Sequence, residues 1–352
     1  MTGYKIKFNG IDRIYDDYSW RLTRRAKAVW QTGDVLQGKY LRQLETAIAK
    51  KYKRKYAIGV GSATDGLYFA MKALGLNKSS TILCPAFSYV ATAGAIKRLD
   101  ANIHFADTDY KGNIGDWGIM GLPSAIVYVN MFGNLADYNR LREYCDKHRI
   151  PLIEDAAQSQ GAVYKKIPSG ALGDVSVFSF DPMKNMPSFG TGGIVLTDSK
   201  DVYDTVVSLR RHGENSNLPY GYNSLISEDH ANQLLFLLSK FDKLQKMREK
   251  VFKRYKKLLP NSLFIESQDG TKSSYHKLVM LTERRDELKT YLARNGVETK
   301  IHYVKTLDPN NTGQYPNAES ICAKAISLPI YPHLKTTEVD YICERINKFN
   351  GV

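Results

Sequence analysis

The chain has 352 residues, and its 50 Lys and Arg residues exceed its 36 Asp and Glu residues, which gives a formal net charge of +14. A chain of this length builds about two domains of ~150 residues or one large domain. With 43% apolar residues it should fold without disulfides or a structural metal. The positive charge brings nucleic acid, a membrane surface and a phosphorylated small molecule into consideration as acidic partners, and composition does not choose among them.

The cysteines and the absence of long apolar runs indicate the compartment. No apolar run of signal-peptide type opens the sequence, and no stretch approaches the ~20 apolar residues of a membrane span. Cys84, Cys145, Cys322 and Cys343 are far apart and form no C-x-x-C pair, which argues against a zinc ribbon or a redox motif. We therefore expect reduced, buried thiols in a cytoplasmic protein without a membrane segment.

Short apolar strands alternate with helices in the first half of the chain. Continuous apolar runs predict buried strands, whereas apolar residues at helical spacing predict helices. The predicted strands are Tyr56–Val60, Ser80–Cys84, Ala101–Ala106, Ala125–Val129, Ile150–Ile153, Val175–Phe180 and Gly193–Thr197, and the predicted helices are Thr64–Leu74, Val90–Lys97 and Asp137–His148. This alternation predicts an α/β domain with a mostly parallel sheet.

The second half of the chain has a different pattern. Its predicted elements are a long amphipathic helix over Glu228–Leu259, a strand over His276–Leu281 and a helix over Arg285–Asn295. We place a domain boundary near residue 240, between a large domain (1–240, with an N-terminal arm) and a smaller α+β domain (241–352). The basic segment Lys243–Lys257 is the candidate for binding nucleic acid, but a solvated helix face explains it more simply, so nucleic-acid binding is disfavoured.

Four candidate site segments follow predicted strands, where open α/β sheets bind their ligands. In the first segment, Gly59–Leu67, a strand ends at Val60, small residues follow, and a helix begins near Thr64. The free N–H groups at a helix start favour phosphate, and the Thr64 hydroxyl is a further donor. The alternative interpretation is a simple helix cap by Ser62 or Thr64.

The second segment ends an apolar strand with two carboxylates, Glu154 and Asp155. A strand alternates faces, so one of the two points into a given site. A buried carboxylate needs a cation, which a metal or a protonated heterocycle supplies. No His or second acidic cluster stands nearby, so we predict no metal site; a helix-capping Asp is the alternative.

The other two segments contribute an amine and aromatic rings. Lys184 follows the strand Val175–Phe180, where desolvation or nearby cations would lower its pKa and free the neutral amine for a Schiff base. Pro85–Tyr89 places rings at a strand end, where they would stack on a planar ligand, although core aromatics are the alternative. A phosphate cradle, a cation partner, a stacking ring and a lysine are together the four needs of pyridoxal phosphate.

These segments, in this order, resemble the motifs of the DegT/DnrJ/StrS nucleotide-sugar aminotransferases, a family of fold-type I pyridoxal-phosphate enzymes. The resembling segments are Gly61–Leu67, Pro85–Thr92, Phe105–Asp109, Glu154–Gln158, Phe178–Asn185, Arg211–Gly213, Gly221–Asn223, His302–Tyr303 and Leu328–Pro332. The resemblance covers nearly the whole chain. It implies a fold-type I α/β architecture, with a mostly parallel sheet of seven-stranded type flanked by helices and a smaller C-terminal α+β domain.

The resemblance also implies the roles of individual residues. The implied cofactor-binding residues are Ala63, Thr64, Tyr89, Asp155, Gln158, Ser179, Lys184 and Asn223, and the implied substrate contacts are His302, Tyr303 and Tyr331. Lys184 is the implied catalytic Schiff-base lysine, Asp155 the pyridinium partner and Tyr89 the stacking ring. Asn223 is implied to reach the phosphate of the partner subunit, which places the active site at a homodimer interface.

The implied reaction moves an amino group from L-glutamate to a keto-sugar attached to a nucleoside diphosphate. Related enzymes that dehydrate the sugar carry His at the position of Lys184, so the lysine favours transamination. A pyridoxal-phosphate-dependent sugar dehydratase and a non-catalytic relative used for binding or regulation remain alternatives. The chain departs from the family pattern at Ala63, Asn130, Thr191 and Leu225. We expect the last three to touch substrate-side or interface positions, which leaves the nucleotide, the sugar and the aminated carbon open.

Overall fold

Helices and strands alternate along the chain in a computed structural model, which describes residues 3–115, 121–214 and 220–351. Its helices are α1 (Ile11–Trp30), α2 (Lys39–Lys51), α3 (Ala63–Ala73), α4 (Val90–Lys97), α5 (Tyr138–His148), α6 (Lys200–Leu209), α7 (Glu228–Leu258), α8 (Arg285–Arg294), α9 (Pro316–Lys324) and α10 (Thr336–Asn350). Its strands are β1 (Tyr56–Val60), β2 (Thr81–Pro85), β3 (Asn102–Ala106), β4 (Ala125–Val129), β5 (Leu152–Asp155), β6 (Val163–Tyr164), β7 (Ile167–Pro168), β8 (Val175–Ser179), β9 (Gly193–Thr197), β10 (Leu263–Phe264), β11 (Thr271–Lys272), β12 (Leu278–Leu281) and β13 (Ala325–Leu328).

A seven-stranded sheet in the order β1-β9-β8-β5-β4-β2-β3 forms the centre of the large domain. Strand β9 runs antiparallel to both of its neighbours, and the remaining pairs are parallel. No crossover helix separates β8 from β9, so the chain returns antiparallel at this point. The mostly parallel sheet predicted from the alternation of strands and helices is confirmed.

Helices cover both faces of this sheet, which explains why its strands are apolar at consecutive positions. Val175 and Val177 of β8 pack in one buried cluster with residues of α3 and α6. Phe178 of the same strand points to the opposite face and packs with residues of α1, α2 and α7. The strand ends are thereby held between two helical layers, and the loops that follow them meet at one edge.

The small domain is built on the antiparallel sheet β10-β12-β13, with α8, α9 and α10 around it. Helix α7 packs against the large domain through residues such as Leu237 and Phe241 and against the small domain through Val251 and Tyr255. Residue 240 therefore lies inside one continuous helix. The division at 240/241 stays a prediction, because a helix that contributes to both cores gives no sharp boundary.

The residues before α1 pack on the small domain. Ile6 belongs to the buried cluster of that domain and forms a parallel β-bridge with Val297. The backbone N–H of Phe8 donates to a carboxylate oxygen of Glu298 at 2.9 Å. The N-terminal arm, which we had grouped with the large domain, thus also connects the two units.

Candidate active site

A cavity of about 430 Å³ opens at the edge of the large sheet where β1, β2, β5 and β8 end. The predicted site residues that line it are Ala63, Thr64, Tyr89, Asp155, Gln158, Ser179, Lys184, His302 and Tyr303. The first seven come from the ends of large-domain strands or from the segments that follow them, whereas the last two come from the small domain. The structure therefore brings together residues up to 240 positions apart in sequence.

The first turn of helix α3 forms one wall of the cavity. Ser62 is its N-cap, and its Oγ accepts a hydrogen bond from the Asp65 backbone N–H at 3.1 Å. The N–H groups of Ala63 and Thr64 lie in this first turn, where a helix offers them no carbonyl partner. Gly193 packs tightly here, because a Cβ at that position would lie 2.6 Å from the Ala63 nitrogen. The helix cap and an anion-binding turn therefore coexist.

Asp155, the last residue of β5, lines the cavity and is 5% exposed. Its Oδ2 accepts a hydrogen bond from Thr92 Oγ1 at 2.9 Å, and its Oδ1 accepts one from the Ala157 N–H at 3.2 Å. Burial raises the pKa of this carboxyl group, while the Lys184 ammonium favours its ionised form. Thr92 was not predicted as a site residue, although its position three residues after Tyr89, one helical turn along, is a usable signal.

Glu154, the preceding residue, lies on the other face of β5 and is fully buried. It accepts hydrogen bonds from Asn130 Nδ2, Ser169 Oγ, Ser176 Oγ and the backbone N–H groups of Gly170 and Leu172, at 2.6 to 3.2 Å. Burial raises the pKa of its carboxyl group, and these donors oppose the shift. Both oxygens are occupied by internal donors, so Glu154 has a structural role.

Lys184 lies in the loop after β8 and lines the cavity. Burial lowers the pKa of its amine, and the carboxylates of Asp155 and Asp181 oppose that shift. Within the described ranges, its Nζ has no hydrogen-bond or ion-pair partner. The loop itself is held in place, because Asn9 Nδ2 donates to the Pro182 carbonyl at 3.2 Å. The amine is therefore available to a ligand in the cavity.

Two aromatic rings and an amide complete the walls that were predicted. Gln158 Oε1 accepts from the Phe132 N–H at 3.0 Å, and its Nε2 donates to Tyr303 Oη at 3.3 Å. Tyr89 is 56% exposed, and its ring centroid lies 6.1 Å from that of Tyr303. Ser179, the last residue of β8, contributes a hydroxyl. Tyr89 is thus free to present its ring to a planar ligand.

His276 and Lys277 also line the cavity, and the sequence did not predict them as site residues. His276 Nδ1 lies 3.1 Å from Asn185 Oδ1. Asn185 Nδ2 donates to the Ser274 carbonyl at 2.7 Å, so its Oδ1 is the acceptor and His276 Nδ1 carries the proton. No local pattern marks these residues, because they reach the site through the packing of the small domain on the large one.

The remaining two predicted residues lie elsewhere. Tyr331 is 2% exposed and packs in the core of the small domain, with the Arg13 guanidinium carbon 5.3 Å from its ring centroid. It does not line the cavity, so the structure does not support the predicted substrate contact. Asn223 is exposed, forms an isolated β-bridge with Arg211 and also lies outside the cavity of its own chain. Its predicted contact with a partner's phosphate stays a prediction.

The departures from the family pattern fall in different places. Ala63 and Thr191 line the cavity, and Leu225 is partly buried. Asn130, which we expected at a substrate-side or interface position, is instead fully buried and donates to Glu154 at 2.9 Å. Its carboxamide supports the structural carboxylate behind the sheet, so it bears on stability before substrate choice.

The chemistry of the lining residues fits pyridoxal phosphate. The start of α3 offers N–H donors for a phosphate, and Asp155 offers a buried carboxylate for a protonated ring nitrogen. Tyr89 offers an aromatic face, and Lys184 offers an amine that has no hydrogen-bond partner among the described residues. Each of the four needs of the cofactor is met by a different wall of one cavity.

Two searches of the described ranges bear on other classes of site. Neither a grouping of three or more His, Cys, Asp and Glu side chains suited to a metal ion nor a helix with the length and apolar character to cross a membrane occurs there. The four cysteines are free and buried, as predicted.

Comparisons with known proteins identify the relatives of this chain. The family model described as the DegT/DnrJ/EryC1/StrS aminotransferase family matches residues 19–347. The chain is 29% identical over 356 residues to the pleiotropic regulatory protein of Geobacillus stearothermophilus, covering 95% of this chain and 96% of that relative. It is 28% identical over 364 residues to the dTDP-3-amino-3,4,6-trideoxy-alpha-D-glucose transaminase of Streptomyces venezuelae, covering 98% and 96%.

The fold comparison finds a similar structure over nearly the whole chain. The crystal structure of S. venezuelae DesV in complex with a ketimine intermediate superposes with a TM-score of 0.94 at 27% identity, covering 98% of each chain. Because the family model spans nearly the whole chain, and because the matching segments include the cavity walls, the assignment does not depend on one motif. This chain belongs to the DegT/DnrJ/EryC1/StrS aminotransferase family.

Proposed function

We propose that this protein is a pyridoxal-phosphate-dependent aminotransferase that moves an amino group from L-glutamate to a keto-sugar linked to a nucleoside diphosphate. The observation that supports it most is that Lys184 and Asp155 line one cavity, where burial lowers the pKa of the Lys184 amine and the Asp155 carboxylate opposes that shift. If the two side chains served only to stabilise the fold, they would be paired inside it and would not face an open cavity.

The lining residues suggest how the cofactor is held. The N–H groups of Ala63 and Thr64 and the Ser179 hydroxyl would bind its phosphate, and Asp155 would pair with its ring nitrogen. Tyr89 would stack on the ring, and Gln158 would lie beside the ring hydroxyl. When bound, pyridoxal phosphate supplies an aldehyde that condenses with amines and a ring that withdraws electrons.

Lys184 would act as the proton carrier of the reaction. Desolvation lowers the pKa of its amine, so a larger fraction is neutral at physiological pH than for an exposed lysine. A neutral amine at this position takes the proton from the α-carbon of the amino donor and later delivers a proton to the sugar carbon that receives nitrogen. Burial raises the pKa of Asp155, and the hydrogen bonds that Thr92 and Ala157 donate to its oxygens oppose that shift and favour the ionised carboxylate.

The class of substrate rests on the relatives. The Streptomyces venezuelae relative is named as a transaminase that acts on a dTDP-linked amino sugar. The acidic diphosphate of such a substrate is compatible with a chain of net charge +14.

The proposal includes an oligomeric state and a compartment. We expect a homodimer in which the exposed Asn223 of each chain completes the partner's site, and we expect the protein to act in the cytoplasm.

The regulatory name of the Geobacillus stearothermophilus relative keeps a non-catalytic role open as an alternative. The retained lysine and the open cavity favour catalysis over that role.

The proposal is tested with a panel of nucleotide-linked 3-keto and 4-keto sugars, with L-glutamate as donor and 2-oxoglutarate as the measured product. We expect product with at least one sugar and a loss of about 10²- to 10⁴-fold in Lys184→Ala. Lys200→Ala is the matched control, since Lys200 is exposed and pairs with Asp204 four residues away.

Three outcomes would contradict the proposal in different ways. Turnover retained by Lys184→Ala would exclude that lysine. Loss of a sugar hydroxyl without consumption of glutamate would indicate a dehydratase. Failure to take up pyridoxal phosphate, measured by absorbance after gel filtration, would indicate the non-catalytic alternative.

A further inference from the structure

Lys277 enters the cavity from the small domain, immediately before β12. Its backbone N–H donates to the Phe132 carbonyl at 3.1 Å, which anchors the main chain to the large domain. Its Nζ lies 4.7 Å from the centroid of the Phe8 ring, whose edge packs near His302 with centroids 5.7 Å apart. An ammonium is therefore held against an aromatic face inside the candidate active site.

This ammonium has no acidic partner. Within the part of the chain that the structure describes, no carboxylate forms an ion pair with Lys277 Nζ. Burial lowers the pKa of its amine, and the like charges of Lys184, Arg248 and Lys300 add to that shift. Asp181 is the carboxylate that opposes it, and its Oδ1 already accepts the Met183 N–H at 2.8 Å. A buried cation in this position is stabilised when a bound anion neutralises it.

The other basic side chains of the cavity have different tasks. No arginine is present among the described residues that line it. Lys184 is committed to the chemistry of the proposed reaction. Burial lowers the pKa of His302 to about 3, and burial also holds the pKa of His276 well below its usual range, so both imidazoles are neutral at physiological pH. Among the described lining residues, Lys277 is therefore the amine that remains to pair with an anionic ligand.

The proposed reaction brings carboxylates into this cavity. L-Glutamate carries two of them, and its α-carboxylate lies one bond from the carbon whose proton Lys184 would remove. The cofactor phosphate, in contrast, has its own donors at the start of α3. Resting on the proposed function, we propose that Lys277 is the residue that binds a substrate carboxylate in this cavity.

Two substrates can supply that carboxylate: the amino donor and a keto-sugar that is oxidised to a uronate. The chemistry of recognition is the same, a charge-assisted hydrogen bond from the ammonium to a carboxylate oxygen. The two sources are separable, because an aminotransferase handles its donor and its acceptor in successive half-reactions whose constants are measured independently.

The first experiment is a binding measurement. Holoenzyme loaded with pyridoxal phosphate is titrated with glutarate, a dicarboxylate that has no amine and cannot react, in a calorimeter. We expect Lys277→Met to weaken glutarate binding about 10- to 100-fold, the value of one hydrogen bond between charged groups. Lys277→Arg should recover part of the loss, which separates the charge from a folding defect. Lys272→Met is the control, because Lys272 is exposed, pairs with Glu249 at 2.8 Å and does not line the cavity.

The kinetic arms identify the source. An increased KM for glutamate with a nearly unchanged kcat in Lys277→Met supports the amino donor. An unchanged constant for glutamate with an increased KM for a carboxylated keto-sugar, but not for its neutral counterpart, supports the sugar. Equal glutarate affinities and equal KM values in wild type and Lys277→Met would overturn the inference. So would a loss of pyridoxal phosphate affinity in that variant, measured by fluorescence titration, because the lysine would then serve the cofactor.

The failure of this inference and the failure of the proposed function are distinguishable. If the wild-type protein aminates no keto-sugar but Lys277→Met still loses affinity for glutarate, the carboxylate site stands and the substrate assignment falls. If the wild type aminates a keto-sugar and Lys277→Met matches it in every constant, the carboxylate site falls and the function stands.

Discussion

Glu154 and Asp155 are neighbours in one strand, yet their carboxylates lie on opposite faces of β5 and have different hydrogen-bond environments. Behind the sheet, Glu154 is surrounded by five donor groups and faces no open volume. At the cavity, Asp155 has two donors and the proposed cofactor site in front of it. A buried carboxylate that the fold satisfies completely stabilises structure, whereas one that it satisfies in part is prepared for a ligand.

The largest expected effect is the loss of activity on replacing Asp155, the carboxylate that faces the cavity. Asp155→Asn keeps the size of the side chain but removes its negative charge, so it should lower kcat/KM about 10²- to 10³-fold, as loss of one preorganised electrostatic partner does. The measurement is the rate of 2-oxoglutarate formation. The amide retains an acceptor for Thr92, so the melting temperature should hardly change. A variant with full activity would show that the cavity carboxylate is also structural.

The next effect separates the residues by stability. In Glu154→Gln, the amide turns an N–H toward a group that is itself a donor, whichever way it is oriented. Leu172 N–H donates at the Oε2 position, Asn130 Nδ2 donates at the Oε1 position, and Gly170 N–H donates to both. The free energy of unfolding, measured by denaturant titration of the cofactor-free protein, should fall by about 2–3 kcal/mol. Activity below denaturing conditions should stay within about tenfold of wild type. Lost activity at unchanged stability would reverse the comparison.

The smallest expected effect is on the pH dependence of stability, through His302 at the cavity. Burial and the charges of Lys277, Lys184 and Lys300 lower the pKa of His302 to about 3, below its value of ~6.5 in an unfolded chain. Between these values the unfolded state binds the extra proton, so this residue's contribution to stability is present above pH 6.5 and is lost as the pH falls toward 3. From pH 7 to pH 4.5, wild type should lose about 2 kcal/mol more unfolding free energy than His302→Gln. Equal losses in the two proteins would show that the imidazole protonates freely in the folded state.

The sequence predicted the bounds of apolar strands in the large domain better than those of the strand that ends in Glu154 and Asp155. Tyr56–Val60, Ala125–Val129 and Gly193–Thr197 are strands with the predicted bounds, because each is a continuous apolar run. The strand predicted at Ile150–Ile153 instead spans Leu152–Asp155. Charged residues normally end a buried strand, but the donors around Glu154 remove that penalty, and no local pattern reports donors supplied by distant segments.

The sequence predicted the part of the candidate site that the large domain contributes, but only some of the part that the small domain contributes. Lys184 and Asp155 were found because both follow apolar strands, whose ends meet at one edge of a parallel sheet. Lys277 and His276 were missed and Tyr331 was misplaced, because their positions follow from how the small domain docks. Helices α1 and α2 were also not predicted, and their apolar faces pack mainly against α7 and the large sheet.

The four buried thiols can serve as probes of local unfolding in the two domains. Cys84 and Cys145 lie in the large domain, and Cys322 and Cys343 in the small one. Burial raises the pKa of the Cys145 and Cys343 thiols to about 12, so neither is a reactive thiolate in the folded state. An alkylating reagent therefore marks each cysteine only when the surrounding structure loosens. The order in which the four sites are marked reveals which domain opens first, and simultaneous marking would mean that α7 joins both into one cooperative unit.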